Sequence, residues 1–254
     1  MSYRKLMVLL AGESWVTHTT HIKGVDYFVQ SGYGEGIRWI KGAIEGGGHE
    51  FFHIPNHLAS EQFPVCMDEL RPFDVLILSD IGANTLLLHP STTAHSIVTC
   101  NRLKLIRDYV EEGGSLLMVG GYMSYQGIEG KARYCGTPIE DALPVIMRET
   151  DDRVEVPEGF EPEVVIENEH HQIVDGLPHT FPVMLFYNRV VAKPDSTVLL
   201  RNGRDPILTA WSYGKGRAAA FTPDAAPHGA TPEFLEWEHF DSFWLRVIEW
   251  LTEL

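Results

Sequence analysis

Histidines and carboxylates concentrate in the segment that follows the first apolar run of the chain. His18 and His21 lie three residues apart, and Asp26 follows them. Imidazole and carboxylate groups both bind zinc, so these three residues allow a metal site, while hydrogen bonds within an ordered segment are the simpler alternative. We predict neither a metal nor another cofactor. The ligand-binding residues expected in this segment are Ser14, Trp15, His18, His21 and Lys23.

A second set of polar residues pairs a carboxylate with an imidazole near the C-terminal end of the chain. Asp224 and His228 lie four residues apart, and Pro227 stands between them. Because proline fixes the backbone φ angle, it would hold the two groups at a defined spacing. A carboxylate that orients an imidazole makes a general base or a ligand clamp. The alternative is a buried hydrogen-bonded pair that only closes the fold.

A glycine-rich turn, Gly120-Gly121-Tyr122-Met123-Ser124, follows the apolar run 115–119. In α/β hydrolases a tight turn at the end of a strand presents the nucleophile. Tyr122 follows the two glycines here, and a phenol with a pKa of about 10 is protonated at neutral pH. Ser124 lies close by but lacks the Gly-x-Ser-x-Gly context. We therefore expect Tyr122 and Ser124 at the site, together with Asp80 from the end of another apolar run.

The three cysteines, Cys66, Cys100 and Cys135, are an odd number and form no Cys-x-x-Cys pair. This pattern favours reduced thiols in a cytoplasmic protein over disulfides or a zinc–thiolate site. Cys135 follows Arg133, and a basic neighbour would lower the pKa of its thiol and make it a candidate nucleophile. The alternative for Cys135 is an ordinary reduced thiol.

Apolar runs alternate with amphipathic segments over the first half of the chain. The runs of strand length are 5–11, 51–54, 73–79 and 115–119. The segments with helical spacing are 35–45 and 101–112. This alternation predicts an α/β fold with a flavodoxin-like parallel sheet flanked by helices, in one domain that spans residues 1–254.

Ligands of such folds bind beyond the carboxyl ends of the parallel strands. The loops expected there are 12–34, 80–100 and 120–137. We predict the first of these, about 20 residues long, to be a functional loop without regular structure. Gly32, Gly34 and Gly36 do not make a dinucleotide fingerprint, because they lie far from the preceding strand and Ile37 breaks the spacing. They are expected to shape the entry to a helix.

The second half of the chain predicts an antiparallel extension of the sheet and a closing helix. Four short runs are separated by turn residues: 190–192, 197–200, 207–211 and 217–221. Asn202-Gly203 and Gly214-Lys215 are typical hairpin turns. From about Glu238 onward, apolar residues recur at helical spacing, which indicates an amphipathic helix packed on the sheet.

Several motifs together resemble the class I glutamine amidotransferase-like superfamily, over nearly the whole chain. They are Gly-Glu-Ser-Trp at 12–15, His-Thr-Thr-His-Ile-Lys-Gly at 18–24, Val-Gly-Gly-Tyr at 119–122, Gly-Lys-Gly-Arg at 214–217 and the segment 221–228. The closest resemblance is to an uncharacterised bacterial group of putative glutamine amidotransferases. The segment 168–178 resembles a connection in sugar-utilisation and galactosidase-associated domains, which implies structural roles for His170 and His171.

Two departures from the superfamily pattern bear on activity. Its elbow cysteine is replaced by Tyr122, and its His-x-Glu pair is incomplete, because His228 is followed by Ala230. The resemblance therefore implies a protein that has lost the usual glutaminase mechanism, a pseudoenzyme that binds a small polar or sugar-derived ligand. Tyr122, Asp224 and His228 are the candidate catalytic residues.

Two alternatives of other classes stay open. One is a hydrolase in which His228, oriented by Asp224, activates water or a metal-bound hydroxide. The other is an assembly module in which C-terminal aromatic residues form the interface of a homo-oligomer. The aromatic residues concerned are Phe234, Trp237, Phe240, Phe243, Trp244 and Trp250.

The charge of the chain excludes some partners. The 254 residues carry a formal net charge of −15, which argues against nucleic acid and against anionic membrane surfaces. No stretch approaches the roughly 18 apolar residues of a transmembrane helix. The acidic residues concentrate in the segments 149–175 and 233–253, so the rest of the chain is near neutral. The expected site lies outside these two segments and contains His, Lys and Asp residues.

Overall fold

A computed structural model describes residues 4–253 and arranges them around one large β-sheet. Its strands are β1 (Met7–Gly12), β2 (Ser14–Lys23), β3 (Asp26–Glu35), β4 (Glu50–Ile54), β5 (Val75–Ser79), β6 (Ser115–Val119), β7 (Val145–Ile146), β8 (Arg153–Phe160), β9 (Glu163–Val164), β10 (Met184–Asn188), β11 (Val191–Ala192), β12 (Thr197–Asn202), β13 (Asp205–Tyr213) and β14 (Gly216–Phe221). Its α-helices are α1 (Arg38–Gly46), α2 (Asn56–Gln62), α3 (Met67–Leu70), α4 (Ala83–Leu87), α5 (Pro90–His95), α6 (Arg102–Glu111), α7 (Pro138–Ala142), α8 (Pro232–Leu235) and α9 (Phe240–Leu251).

The main sheet has eight strands in the order β4-β1-β5-β6-β14-β13-β12-β9. The first five of these run parallel, in a flavodoxin-like arrangement. Every residue of β5 and β6 is buried, because helices cover both faces of the sheet. The predicted fold class is therefore confirmed.

The antiparallel extension begins at β14, which pairs parallel with β6 on one side and antiparallel with β13 on the other. β13, β12 and β9 continue it to the sheet edge. The predicted run 190–192 lies elsewhere, since β11 pairs with β7 in a separate two-stranded sheet. This short strand therefore does not belong to the main sheet.

The two faces of the sheet bury two apolar cores. One holds α1 and α9, and the other holds α6 and the connections around it. In α1, Ile40 and Ile44 are buried as their spacing predicts, and the helix ends at Gly46. The predicted helix 35–45 begins three residues late, because Gly36 and Ile37 form the entry to it.

The C-terminal aromatic residues belong to the core of the same chain, which corrects the prediction that they form a subunit interface. Phe234, Phe240, Phe243 and Trp244 are each at most 3% exposed. Trp237 and Trp250 are partly buried against the same core. The helical spacing correctly indicated an apolar face, but the sheet of the same chain already covers that face.

The segment 12–34 is not an irregular loop, and the sequence-based prediction for it was wrong. β2 and β3 form an antiparallel hairpin of ten residue pairs, with unbroken register from Ser14↔Glu35 to Lys23↔Asp26. The turn holds Gly24 at φ +69°, a conformation that glycine adopts without strain. Because β-branched and aromatic residues alternate with polar ones here, the segment has strand character. We call this hairpin the ribbon.

Within residues 4–253, no helix has both the length and the apolar character needed to cross a membrane.

Candidate functional site

A cavity of about 240 Å³ lies beyond the carboxyl ends of the parallel strands. Each of the strands β1, β5, β6 and β14 places at least one polar side chain from its C-terminal end there. The base of the β2–β3 hairpin closes one side through Trp15. The lining residues are Glu13, Trp15, Asp80, Tyr122, Asp224, Ala226, Pro227 and His228.

Two of the carboxyl residues adopt a left-handed backbone conformation directly after their strands. Glu13 has a φ of 48° and Asp80 a φ of 45°. Such a conformation costs free energy in a residue with a side chain, and it concentrates at functional sites. Here it turns both carboxyl groups away from the strand direction and toward the same cavity.

Glu13 is only 5% exposed, although it carries a carboxyl group. The Ser79 hydroxyl donates a hydrogen bond to its Oε2. Burial is the main cause that raises the pKa of Glu13 well above its usual value, and the nearby carboxylates of Asp224 and Asp80 raise it further. Glu13 is therefore a candidate proton donor in the cavity wall. Gly36 leaves the room for it, because a Cβ there would lie 2.5 Å from Glu13 Oε1.

Asp80 is held by the turn that follows β6. Its Oδ1 accepts a hydrogen bond of 2.7 Å from the backbone N–H of Met123. Burial raises the pKa of Asp80 to about 6, against the opposing effect of this hydrogen bond. A carboxyl with that pKa exchanges its proton close to neutral pH, which suits acid–base chemistry.

Asp224 and His228 form the predicted pair. The Asp224 Oδ2 lies 3.3 Å from His228 Nδ1, and Asp224 Oδ1 accepts a 2.9 Å hydrogen bond from the N–H of Ala226. The Asp224 hydrogen bond raises the pKa of His228 despite partial burial of the ring. The imidazole therefore stays protonated to a higher pH than an ordinary histidine.

Tyr122 lies beside this pair. The centroids of its ring and of the His228 ring are 4.2 Å apart, and the Tyr122 hydroxyl donates a 2.9 Å hydrogen bond to Glu155. Burial, followed by that bond to a carboxylate, raises the pKa of Tyr122. The phenol is thus a weaker nucleophile than a free tyrosine and acts here as an aromatic wall.

The turn after β6 is shaped by close backbone contacts. A Cβ at Gly120 would lie 1.9 Å from the carbonyl oxygen of Thr222, and one at Gly121 would meet the Asp80 side chain at 2.8 Å. Gly121 has a φ of 150°. No α-helix begins directly after this turn, so the strand–turn–helix geometry of a nucleophile elbow is missing.

The structure brings five of the sequence-predicted site residues to the cavity: Trp15, Asp80, Tyr122, Asp224 and His228. Ser14 and Ser124 are buried next to it but do not line it. The Ser14 hydroxyl accepts a bond from the N–H of Asn56. The Ser124 hydroxyl donates to the carbonyl of Val119 and accepts from the N–H of Asp80. Both serines are therefore occupied in holding the backbone.

Three other predicted ligand-binding residues lie on the ribbon, outside the cavity. At a rise of about 3.3 Å per residue, His21 is roughly 20 Å along the strand from Trp15. His18 Nδ1 lies 2.8 Å from the Ser31 hydroxyl, and the His21 ring stacks on Phe28 at 4.6 Å. Lys23 stands at the ribbon tip beside the same phenyl ring. The expectation that they line the pocket fails because β2 is extended.

The proposed metal ligands do not converge either. Across residues 4–253, no group of three or more His, Cys, Asp or Glu side chains is placed to hold a metal ion. His18 and Asp26 occupy opposite faces of the ribbon, since their register partners are Ser31 and Lys23.

Of the two sequence-based interpretations of Cys135, the structure favours the ordinary reduced thiol over a thiol of lowered pKa. Burial, followed by the Glu140 and Glu149 carboxylates, raises the pKa of this thiol. The sequence neighbour Arg133 does not decide the matter, because these acidic side chains approach from other parts of the chain. Cys135 does not line the cavity, and Cys66 and Cys100 are exposed.

Glu13 is the residue that sequence reasoning missed. It follows an apolar strand directly, as Asp80 does, and the same signal identifies both. The neighbouring histidines drew attention to positions further along the segment. The positional rule for parallel sheets favours the first polar residue after the strand.

Comparison with protein-family models gives a match over residues 7–253 to the family described as putative glutamine amidotransferase. The chain belongs to this family. The sequence resemblance stated above is thereby confirmed, at the level of the family. No curated protein matches the sequence.

Two solved structures are similar to this family member over almost their full length. The cytoplasmic protein STM3548 from Salmonella typhimurium is 41% identical, with a TM-score of 0.92 over 96% of this chain and 98% of its own. The cytoplasmic protein STM1381 from Salmonella typhimurium LT2 is 39% identical, with a TM-score of 0.92 over 97% and 99%.

A more distant likeness concerns the fold alone. A thuA-like protein from Bacteroides uniformis is 14% identical, with a TM-score of 0.56 over 99% of this chain and 94% of its own. These matches confirm a glutamine amidotransferase-like α/β architecture. The names of these proteins state no activity, so the chemistry of the site follows from the residues of the cavity.

Proposed function

We propose that this protein binds a small polar ligand, such as a sugar derivative, in the cavity beyond the strand ends, and that it does not hydrolyse glutamine through a thiolate. One observation carries the proposal: Glu13, Asp80, Asp224 and His228 converge on a single cavity that also has aromatic walls. The cytoplasmic description of two similar proteins supports a cytoplasmic location for this chain as well.

The chemistry of the walls supports a ligand with hydroxyl groups. Trp15 is 43% exposed at the cavity mouth, so its indole offers a flat apolar surface for the C–H face of a sugar ring. Asp80 and Asp224 supply acceptor oxygen atoms, and the Glu13 carboxyl and the His228 imidazole supply donors when they carry a proton. A cavity of about 240 Å³ limits the ligand to a small molecule.

The absence of a nucleophilic thiol in the cavity supports the second half of the proposal. Tyr122 lines the cavity and is the residue that the sequence resemblance aligns with the elbow cysteine, and Cys135 lies outside the cavity with a raised pKa. We expect no ammonia release from glutamine above the uncatalysed rate. A glutaminase rate that Cys135→Ser abolishes would contradict the proposal.

Tryptophan fluorescence tests ligand binding directly. Titration with monosaccharides, amino sugars and polyols is expected to change the emission of the wild type. Trp15→Phe should remove most of that change, because Trp15 is the tryptophan at the cavity. His18→Ala is the matched control on the ribbon, and binding by this variant should equal that of the wild type. A signal that persists in Trp15→Phe with a binding constant unaffected by Asp80→Asn would place the ligand elsewhere.

A second candidate function, hydrolysis with water as the nucleophile, is favoured by the Asp224–His228 pair. Unprotonated His228 would remove a proton from water, and Glu13 would donate one to the leaving group. Because the pKa of His228 is raised, the rate should climb with pH through a value above the ordinary 6.5. Chromogenic glycoside and ester panels test this. Activity that survives His228→Asn would rule out this mechanism.

A further inference from the structure

The ribbon leaves one apolar face without a partner. Residues that face each other across an antiparallel pair point to the same side, so the register defines two faces. The face we call the apolar face presents Val16, Ile22, Tyr27, Val29 and Tyr33, which are between 49% and 75% exposed. The polar residues on this same face are Ser14, His18, Thr20, Ser31 and Glu35. The opposite face presents mostly polar and small residues, with Trp15 and Phe28 as its exposed aromatic side chains.

Only the base of the apolar face is covered by this chain. The Ser14 hydroxyl accepts a hydrogen bond from the N–H of Asn56 at the start of α2. Tyr33 packs edge-on against His57, with ring centroids 5.3 Å apart. Farther along the ribbon, Ile22 is 75% and Tyr27 72% exposed. Within residues 4–253, β2 and β3 pair with no strand except each other.

An isolated two-stranded hairpin is at best marginally stable in water. Ten consecutive registered pairs with an exposed apolar side therefore call for a second layer. The exposed fractions of these five residues correspond to about 600 Å² on each copy, or about 1,200 Å² for two copies, which is the lower end of the range for a stable interface.

The charge distribution indicates which partner fits. The chain as a whole carries −15, and the acidic segments 149–175 and 233–253 hold most of that charge, so surfaces built from these segments repel the same surfaces of a second copy. The ribbon is nearly neutral, because Lys23 stands against only Asp26 and Glu35. It is a surface on which a second copy of this acidic chain can approach with little repulsion.

We propose that the apolar face of the ribbon packs against the same face of a second copy, related by a two-fold axis. Such an interface is isologous, because one patch serves both copies. The two ribbons would form a small sandwich with about 10 Å between the layers. This interface is independent of the C-terminal aromatic residues, which are buried in the core.

Sedimentation equilibrium of the full chain tests the proposal. We expect a dimer with twice the chain mass of 28.6 kDa at micromolar concentration. The double variant Ile22→Glu with Val29→Glu places charges on the apolar face, and its dimer dissociation constant should rise at least about 100-fold. A wild type that remains monomeric at several hundred micromolar would overturn the proposal.

The matched control adds the same two charges to the opposite face of the same ribbon, as Thr19→Glu with Gln30→Glu. This variant should dimerise within about threefold of the wild type. Equal dissociation by both double variants, or an oligomer that persists in the apolar-face variant, would overturn the proposal. Thermal unfolding of each variant verifies that the core is intact, since none of the four residues belongs to it.

A second measurement needs no variant. Hydrogen exchange of the β2 and β3 amides should slow when the wild type is concentrated and quicken on dilution, because dimerisation protects the ribbon. Exchange that does not depend on concentration would overturn the proposal.

Discussion

At the scale of single residues, the cavity brings several buried carboxyl groups close together. Glu13, Asp80 and Asp224 approach each other closely enough that each of the first two has a raised pKa partly because of Asp224. Burial and mutual repulsion both disfavour the charged forms. Among these groups Asp80, with a pKa of about 6, exchanges its proton close to neutral pH.

Replacing Asp80 by Asn should stabilise the protein above pH 6. The folded protein retains the Asp80 proton up to about pH 6, whereas the unfolded chain loses it near the ordinary value of 3.8. Stability therefore falls as pH rises between those values, and the loss is complete above pH 6. Asn cannot ionise and keeps the acceptor for Met123. We expect a gain of about 1–3 kcal/mol at pH 7.5.

Chemical denaturation at pH 7.5 and at pH 4 measures this difference. The gain should nearly vanish at pH 4, where the wild-type carboxyl is largely protonated in the folded state. An equal effect of Asp80→Asn at both pH values would show that ionisation of Asp80 is not the cause.

The pKa of His228 should fall when its partner is removed. The Asp224 hydrogen bond is the largest cause of the raised pKa, and burial of the ring opposes it. In Asp224→Asn the ring stays partly buried but loses this hydrogen bond, so the pKa of His228 should fall below its wild-type value. Glu155→Gln is the control, and its effect should be smaller because Glu155 acts at longer range. NMR titration of the imidazole measures both, and an unchanged pKa in Asp224→Asn contradicts the pairing.

At the scale of elements, the site depends on strands that end together and on turns that leave room for them. β1, β5, β6 and β14 are neighbours in the sheet, so their C-terminal residues meet without any long connection. Gly120 allows the turn after β6 to touch the carbonyl groups of Thr222 and Pro223. These contacts hold the turn after β6 against the segment after β14, which carries Asp224 and His228.

Gly120→Ala should be strongly destabilising, by more than about 3 kcal/mol, because the added Cβ collides with backbone oxygen atoms that cannot move independently. Gly42→Ala is the matched control within α1. It has open space at its Cβ position and should gain about 0.5–1 kcal/mol of helix stability. Urea denaturation compares the two variants. Equal small effects would mean that the turn is more adaptable than its contacts indicate.

Sequence patterns predicted those elements that the chain defines locally. The uninterrupted apolar runs of β5 and β6 predicted the parallel sheet. The helical spacing of α9 predicted a helix that packs on that sheet. The ribbon was missed because its alternation of polar and apolar residues was interpreted as a polar loop rich in His and Thr. The extended conformation of β2 was not predicted, and it places His21 and Lys23 far along the strand from the cavity. The burial of Glu13 and Cys135 likewise depends on residues distant in sequence.

At the scale of the whole molecule, the C-terminal helix is part of the core rather than an interface. Trp244 is 1% exposed and contacts Phe221 of β14 through ring centroids 5.2 Å apart. Trp244→Ala should lower the free energy of unfolding by about 3–5 kcal/mol. The oligomeric mass at 25 °C should not change in sedimentation, and a shift to monomer in a folded variant would restore an assembly role for this region.

The molecule thus separates two tasks along one segment of chain. The base of the ribbon supplies Trp15 to the cavity, and the outer ribbon offers its apolar face to a second copy. The acidic segments 149–175 and 233–253 contribute much of the net charge. The ribbon lies outside both segments and is nearly neutral. Ligand binding and dimerisation can therefore be tested separately, by variants on different residues.

The most direct test of the ligand-binding account is calorimetric titration of the wild type with a panel of monosaccharides and amino sugars, repeated with Trp15→Ala and His18→Ala. The account predicts saturable binding of at least one compound, weakened at least tenfold by Trp15→Ala and unchanged by His18→Ala. No binding by any compound in the panel, or binding that Trp15→Ala leaves intact, would contradict it.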